Sequence, residues 1–246
     1  MARSVVRAGA PRCDHCSLPP RWCVCLAIPP VSSDVKVDVL MHRREQWRPS
    51  STGKLIERTV QGARCHLFQR ETSRQAASCL APAALLPDRE LWILHPLGEP
   101  FPSMEAMDAM AAVADRPTLP QVLLLDGSWH EAGEMLRAVT GRGRCVRLSA
   151  PGPSRYWLRE QTEQHHISTA EALLCVYNAL GDTAAEECFR LHFELHVYAT
   201  LRARGRRQLA EDFLRESPLR AALPTFLDQL NAGRGSPPLL ISRARD

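Results

Sequence analysis

Residues 121–125 read QVLLL and are followed at once by Asp126-Gly127 and then by Ser128-Trp-His-Glu131. The apolar run at 122–125 has no polar face to turn to water. As a strand it must be covered on both sides, which is the position of a strand in a parallel sheet layered by helices. Asp126-Gly127 turns the chain, and the Ser-x-x-Glu spacing caps a helix running to about residue 139. The same succession of strand and helix recurs along the chain. Residues 35–42 alternate as a strand, a polar run follows over 42–51, and Ser51-Thr52 caps a helix over 53–61. Residues 64–68 form a second strand, 91–94 a third that His95-Pro96 stops, 104–114 a helix, and 144–148 a further strand. After an irregular stretch at 149–166, Ser168-Thr-Ala-Glu171 repeats the capping box and opens a helix to residue 180. Residues 184–204 and 209–216 read as helices and the last twenty as loose tail. The expected fold is α/β, with a mostly parallel sheet and flanking helices.

The proline pairs Pro19-Pro20 and Pro29-Pro30 keep residues 1–33 irregular. The organisation expected is a Cys-rich lead at 1–33, a catalytic domain at 34–204 and a basic helical tail at 205–246. With 246 residues, 45% apolar and 24% charged, the chain has ordinary globular composition and length enough for a real core. No run approaches the roughly 18 apolar residues of a membrane-spanning helix, and the first ten are too polar for a secretory leader. A soluble, cytoplasmic protein is expected. The net charge of +4 is unevenly placed: residues 1–50 carry 8 Lys/Arg against 4 Asp/Glu, residues 201–246 carry 9 against 5, and the centre is slightly acidic. Two basic ends suit a polyanion held at its flanks, although a solvated surface has the same appearance.

Four of the nine cysteines fall within thirteen residues, at Cys13, Cys16, Cys23 and Cys25. Two close pairs on tight turns supply four thiolates to tetrahedral zinc, and such a site has no open position for catalysis, so its role is structural. His15 is a substitute ligand, and reduced thiols or a redox pair are the bland alternative. His192 and His196 share a helical face with Cys188, but the Glu that a metalloprotease helix needs after the first His is absent. That face reads as ordinary helix packing, and His165-His166 has no evident partner.

Ligands of open α/β sheets sit beyond the carboxyl ends of the strands. That rule selects residues 42–52, His95-Pro96, 126–129 and 149–159. Asp126 is the carboxylate best placed for chemistry, as a general base at a strand end; the alternative is a helix cap, which Ser128 and Glu131 already provide. Trp129 is either core or a stacking face. Residues 151–159 (PGPSRYWLR) interleave aromatics with arginines, as loops that grip unpaired RNA do, while anchoring of a long loop by Tyr156 and Trp157 is the commoner use. Neither a Gly-rich dinucleotide fingerprint nor a P-loop is present, since Gly141-Arg-Gly143 is too short for either.

The clustered cysteines, Ser51-Thr52-Gly53, His95-Pro96, Leu125-Asp126-Gly127-Ser128-Trp129, Ser154-Arg155-Tyr156-x-x-Arg159 and Ser168-Thr169-x-Glu171-Ala172 follow one another in an order that resembles the DTW-domain family. Ser128 stands where that family's signature has Thr, which keeps a hydroxyl and loses a methyl, and Ser51-Thr52 stands where Asn-Thr is common. The resemblance implies a SPOUT-like fold with a knotted C-terminal half. It also implies transfer of the 3-amino-3-carboxypropyl group of S-adenosylmethionine to N3 of a tRNA uridine, with release of methylthioadenosine. Asp126 would be catalytic. Thr52, Leu94, His95, Leu125, Gly127, Ser128, Trp129, Ser168 and Thr169 would line the S-adenosylmethionine site, Arg155, Tyr156 and Arg159 would bind RNA, and Cys13, Cys16, Cys23 and Cys25 would bind zinc. An RNA methyltransferase and a zinc-stabilised RNA-binding module without chemistry are the competing expectations.

Overall fold

The computed structural model describes residues 11–69, 85–102, 107, 119–148, 152–159 and 167–233. Five strands form one all-parallel sheet: β1 (Lys36–His42), β2 (Arg64–Phe68), β3 (Leu91–Pro100), β4 (Gln121–Asp126) and β5 (Arg144–Arg147), in the spatial order β2-β1-β4-β3-β5. β4 lies between β1 and β3, with Leu40 opposite Leu125 and Met41 opposite Asp126. Leu123 and Leu124, whose side chains point to opposite faces, are both fully buried, so the apolar run is covered on both sides. α2 (Trp129–Val139) covers one face, where Leu40, Ile93, Leu123, Met135 and Val139 pack together. α1 (Thr52–Thr59) and α3 (Thr169–Ala179) pack against each other and on β4, with Gly53 lying against Val39 and Asp126.

The connection from β1 through α1 leads to β2 on one side, whereas β4 leads through α2 to β5 on the other. The strand order therefore reverses between β1 and β4. A crevice opens where neighbouring connections diverge in this way, at the strands' carboxyl ends. His42 and Asp126 end those two strands.

Two local expectations need correction. β3 does not stop at Leu94. Leu94 and Glu99 both face Val146 of β5, so residues 95–98 leave the ladder as a bulge and the strand resumes to Pro100. Pro96 has no N–H to pair, and the bulge removes it from the ladder. Gly98 permits the close return, because a Cβ there would lie 2.6 Å from the Val146 backbone. α4 (Thr183–Ala203) and α5 (Arg207–Arg215) are the helices expected at 184–204 and 209–216, and the chain continues through α6 (Leu219–Ala222) and α7 (Pro224–Asn231), whose end reaches into the last twenty residues, where a loose tail was expected. Pro218 and Pro224 sit at helix starts, where a missing N–H costs nothing. Buried Leu219, Leu227 and Leu230 hold these turns down. The helix expected at 104–114 falls, apart from Met107, outside the described residues. No described helix is long and apolar enough to cross a membrane.

The chain divides into two compact units, one from residues 30–154 and 161–189, the other from 1–29, 155–160 and 190–246. The first holds the sheet. In the second, Arg202 of α4 lies 5.0 Å from the ring centre of Trp22, and the Tyr198 hydroxyl donates to Asn231 Oδ1 at 3.0 Å.

Near the strands' amino ends, buried Asp38 collects the Arg64 guanidinium (2.9 and 3.0 Å), His66 Nε2 (2.6 Å) and the Gln121 amide (2.6 Å). Burial pushes this carboxyl up, but hydrogen bonds from His66, Arg64 and Gln121 outweigh it and hold the group below its ordinary value. A carboxyl depressed by folding contributes stability above its unfolded pKa and loses it as pH falls toward the folded one. Asp38→Asn should therefore cost about 2 kcal/mol at pH 7, read as a lower urea midpoint. The gap to wild type should close as pH drops below about 4.

Candidate active site and metal centre

Asp126 is the last residue of β4 and 5% exposed, and its side chain points to the α1/α3 face. Ser51 Oγ donates to Oδ2 at 2.9 Å and Thr169 Oγ1 donates to Oδ1 at 2.7 Å. Ser51 is the N-cap of α1, its oxygen also accepting from Lys54 N, and Thr169 opens α3 directly after the N-cap Ser168. Two helix N-termini thus converge on one carboxylate, where their dipoles favour negative charge. The approach is close enough to require glycine in the first turn of α1. A Cβ on Gly53 would stand 2.6 Å from Asp126 Oδ2 and 2.8 Å from Cγ.

The helix after β4 does not use Asp126 as its cap. Ser128 and Glu131 form a complete capping box at the start of α2. Glu131 has a second engagement: Oε1 meets His42 Nδ1 at 3.0 Å and the Arg44 guanidinium at 3.5 Å, while Oε2 accepts the Ser128 N–H and hydroxyl at 2.8 and 2.9 Å. Burial would raise this carboxyl, but the Ser128 bonds and the charges of His42 and Arg44 hold it low. The capping-box spacing picks out Glu131, but nothing local ties it to His42. Only the parallel register of β1 and β4 brings the two to the same edge.

Most of the other residues assigned to the S-adenosylmethionine site gather at the same carboxyl edge. Thr52 is buried in the first turn of α1. Leu125 and Gly127 flank Asp126, and a Cβ on Gly127 would meet Glu131 Cβ at 3.0 Å. Trp129 starts α2 with 41% of its surface exposed. Leu94 is buried beside the β3 bulge, and in the bulge His95 Nδ1 accepts from Leu97 N at 3.2 Å, with burial lowering its imidazole pKa. Ser168 caps α3 through a capping box with Glu171, and the same carboxylate accepts the Ser154 hydroxyl at 2.8 and 2.9 Å.

In the other unit, the four clustered cysteines present sulfurs that all lie within 4.8 Å of one another. Cys13 and Cys25 are 3.6 Å apart and Cys16 and Cys23 3.8 Å. Tetrahedral zinc with thiolates at ~2.3 Å has sulfur–sulfur edges of about 3.8 Å. The first pair sits on a turn closed by Ser17 N–H to Cys13 O and Cys13 N–H to Leu18 O, with Ser17 in the left-handed region at φ 60°. The 3₁₀ turn Pro20–Trp22 presents the second pair. Hydrogen bonds from Cys23 and Cys25 pull the Cys16 thiol down, while bonding to Cys16 pushes Cys23 up to about 12 and Cys25 higher. Four thiolates so close together need a cation between them. The cluster can hold a metal ion, and zinc suits it. It is the one such group among the described residues. His192 bonds Pro29 O at 2.9 Å and His196 is buried.

The family model of the DTW domain matches residues 10–202. The chain belongs to the DTW domain family. That family is associated with tRNA modification. The matched stretch takes in the four cysteines, the whole sheet and α1 to α4 except the end of α4. No solved structure matches the chain.

Within the DTW domain, Arg155, Tyr156 and Arg159 of the segment expected to bind RNA also make contacts inside the protein. Arg155 makes a forked pair with buried Glu194 at 3.1 and 2.9 Å, donates to Phe213 O at 3.0 Å, reaches Glu216 at 3.3 Å, and lies 4.1 Å from the Phe213 ring centre. Tyr156 is buried against Phe193, Trp157 meets Phe213 edge-on, and Arg159 stands over Tyr156. Alternating arginines and aromatics fit this packing as well as they fit a nucleic acid, and the sequence has no sign that separates the two.

Purified protein should hold close to one zinc ion per chain. Chelation should raise the protease sensitivity of residues 11–29 before that of the sheet. Protein isolated and refolded with no bound metal, and equally resistant at that segment, would exclude a structural metal.

Proposed function

We propose that this chain transfers the 3-amino-3-carboxypropyl group of S-adenosylmethionine to N3 of a tRNA uridine. The observation that carries the reading is the buried Asp126 carboxylate, clamped between the first turns of α1 and α3 at the switch point of a DTW domain. N3 of uracil is a weakly acidic imide, and a fixed carboxylate beside it serves as general base. As N3–H loses its proton to Asp126, a bond forms from N3 to the donor's γ-carbon. The bond from that carbon to sulfur breaks, its electron pair stays on sulfur, and methylthioadenosine leaves.

Methyl and γ-carbon share one sulfonium, so selectivity is a matter of alignment. The hydroxyls of Ser51 and Thr169 fix the plane of the Asp126 carboxylate, and Gly53 fixes its depth. In this reading Thr52, Leu94, His95, Leu125, Gly127, Ser128, Trp129, Ser168 and Thr169 line the donor site, and the peptide N–H groups at the start of α3 are suited to its carboxylate. The SPOUT-like reading of the sheet and a structural zinc at the four cysteines belong to the same proposal.

The test supplies unmodified tRNA with S-adenosylmethionine labelled either in the carboxyl carbon or in the methyl. Carboxyl label alone should enter the RNA. Methyl label alone would make the chain a methyltransferase, and label in neither, with RNA bound, would make it a binding module. Asp126→Asn should lower transfer by about 10²–10⁴-fold with donor binding kept. Gly53→Ala, which pushes a methyl into the Asp126 carboxylate, should lower it by about 10²-fold in a folded protein. Full activity of Asp126→Asn would remove Asp126 from the base role.

A further inference from the structure

The connector from β1 to α1 displays a large aromatic ring to solvent. Trp47 is 81% exposed, in the run Arg43-Arg44-Glu45-Gln46-Trp47-Arg48. The backbone that carries it is built from successive closed turns: Glu45 N–H to His42 O, Arg48 N–H to Glu45 O and Ser51 N–H to Arg48 O, at 2.8, 3.0 and 3.0 Å. The buried Glu45 carboxylate takes the Arg48 guanidinium. Arg44 reaches Glu131 at 3.5 Å while its side chain stays 73% exposed. Arg43 and Arg48 are exposed as well. An exposed indole therefore shares a turn-closed connector with three exposed arginines, and the same connector ends in Ser51, which holds Asp126. Trp47 is four residues from Ser51, at most about 14 Å of chain.

Chemistry at N3 takes place on the edge that uridine uses for base pairing, so the target base must be unpaired and turned out of any stack. Its neighbours then lose a stacking face. We propose that Trp47 replaces that face: the 43–48 connector is a platform on which an unpaired base adjoining the target uridine stacks, with Arg43 and Arg44 on the flanking phosphates. This inference rests on the tRNA reading above and adds to it where the RNA is held. An indole face accepts any base, so the contact supplies affinity and placement without reading sequence.

The test measures binding of an unmodified tRNA transcript over a salt series for wild type, Trp47→Ala, Trp47→Phe and Arg43→Ala, with S-adenosylmethionine binding as the check on folding. Trp47→Ala should weaken RNA binding roughly tenfold with an unchanged salt slope, since stacking releases no counterions. Trp47→Phe should stay within about threefold of wild type. Arg43→Ala should reduce the salt slope by about 0.9. Trp47→Ala binding like wild type, or Trp47→Phe failing as badly as Trp47→Ala, would overturn the platform. So would a change in self-association of the free protein on Trp47→Ala, which would assign the ring to a contact between copies. If wild type modifies tRNA while Trp47→Ala binds it unchanged, the platform alone falls. A wild type that neither binds nor modifies tRNA removes both.

Discussion

The parallel pairing of β1 with β4 is the contact on which the site depends. It runs without interruption from Lys36 opposite Gln121 to Met41 opposite Asp126, through residues buried on both faces. Because side chains alternate strictly along a strand, a slip of one residue would turn Asp126 into the α2 face and Leu125 out of it. The apolar continuity of β4 alone does not fix that register. Polar residues add to it: Asp38 on β1 bonds Gln121 on β4 near the amino ends, and a slip of one residue would turn the two side chains to opposite faces.

The consequence at the carboxyl edge is two carboxylates on opposite faces with different company. Glu131 meets an imidazole and a guanidinium as well as the Ser128 hydroxyl and N–H, so a cationic side chain lies within reach of its charge. Asp126 meets the hydroxyls of Ser51 and Thr169 at two helix N-termini. Hydroxyl donors orient a carboxylate without neutralising it. In the proposed reaction Asp126 is the acceptor for the substrate proton, while Glu131 joins the β1 connector to α2 through His42 and Arg44.

The sequence made legible what is decided within a few residues. Ser51, Ser128 and Ser168 cap the helices expected of them, because a cap is chemistry between a side chain and an N–H three residues on. The apolar run at 122–125 of β4 and the metal-ligand spacing of the cysteines are local in the same sense. The partners of Asp126 are not, since Ser51 lies 75 residues away and Thr169 lies 43 away. Pro96 misled for a related reason. Whether a proline ends an element, bulges from it or starts the next depends on the packing of buried neighbours such as Val146, Leu219 and Leu227. Arg155 shows the limit most plainly, because its forked pair with Glu194 is a tertiary fact that composition cannot distinguish from a phosphate contact.

The DTW signature segments acquire one physical meaning once the hydrogen bonds are followed. Ser154 holds Glu171, Glu171 holds the Ser168 cap, the cap sets the first turn of α3, and Thr169 on that turn holds Asp126. From the other side, the connector after β1 closes on Ser51, which caps α1 and holds the second oxygen. Three stretches far apart in the chain therefore direct their polar side chains to the position of a single carboxylate. A protein that only bound RNA would have little reason to fix a buried acid this firmly. The proposed transfer, which must bring one nitrogen to one of two alkyl carbons on the same sulfur, would need its base held to within a fraction of an ångström.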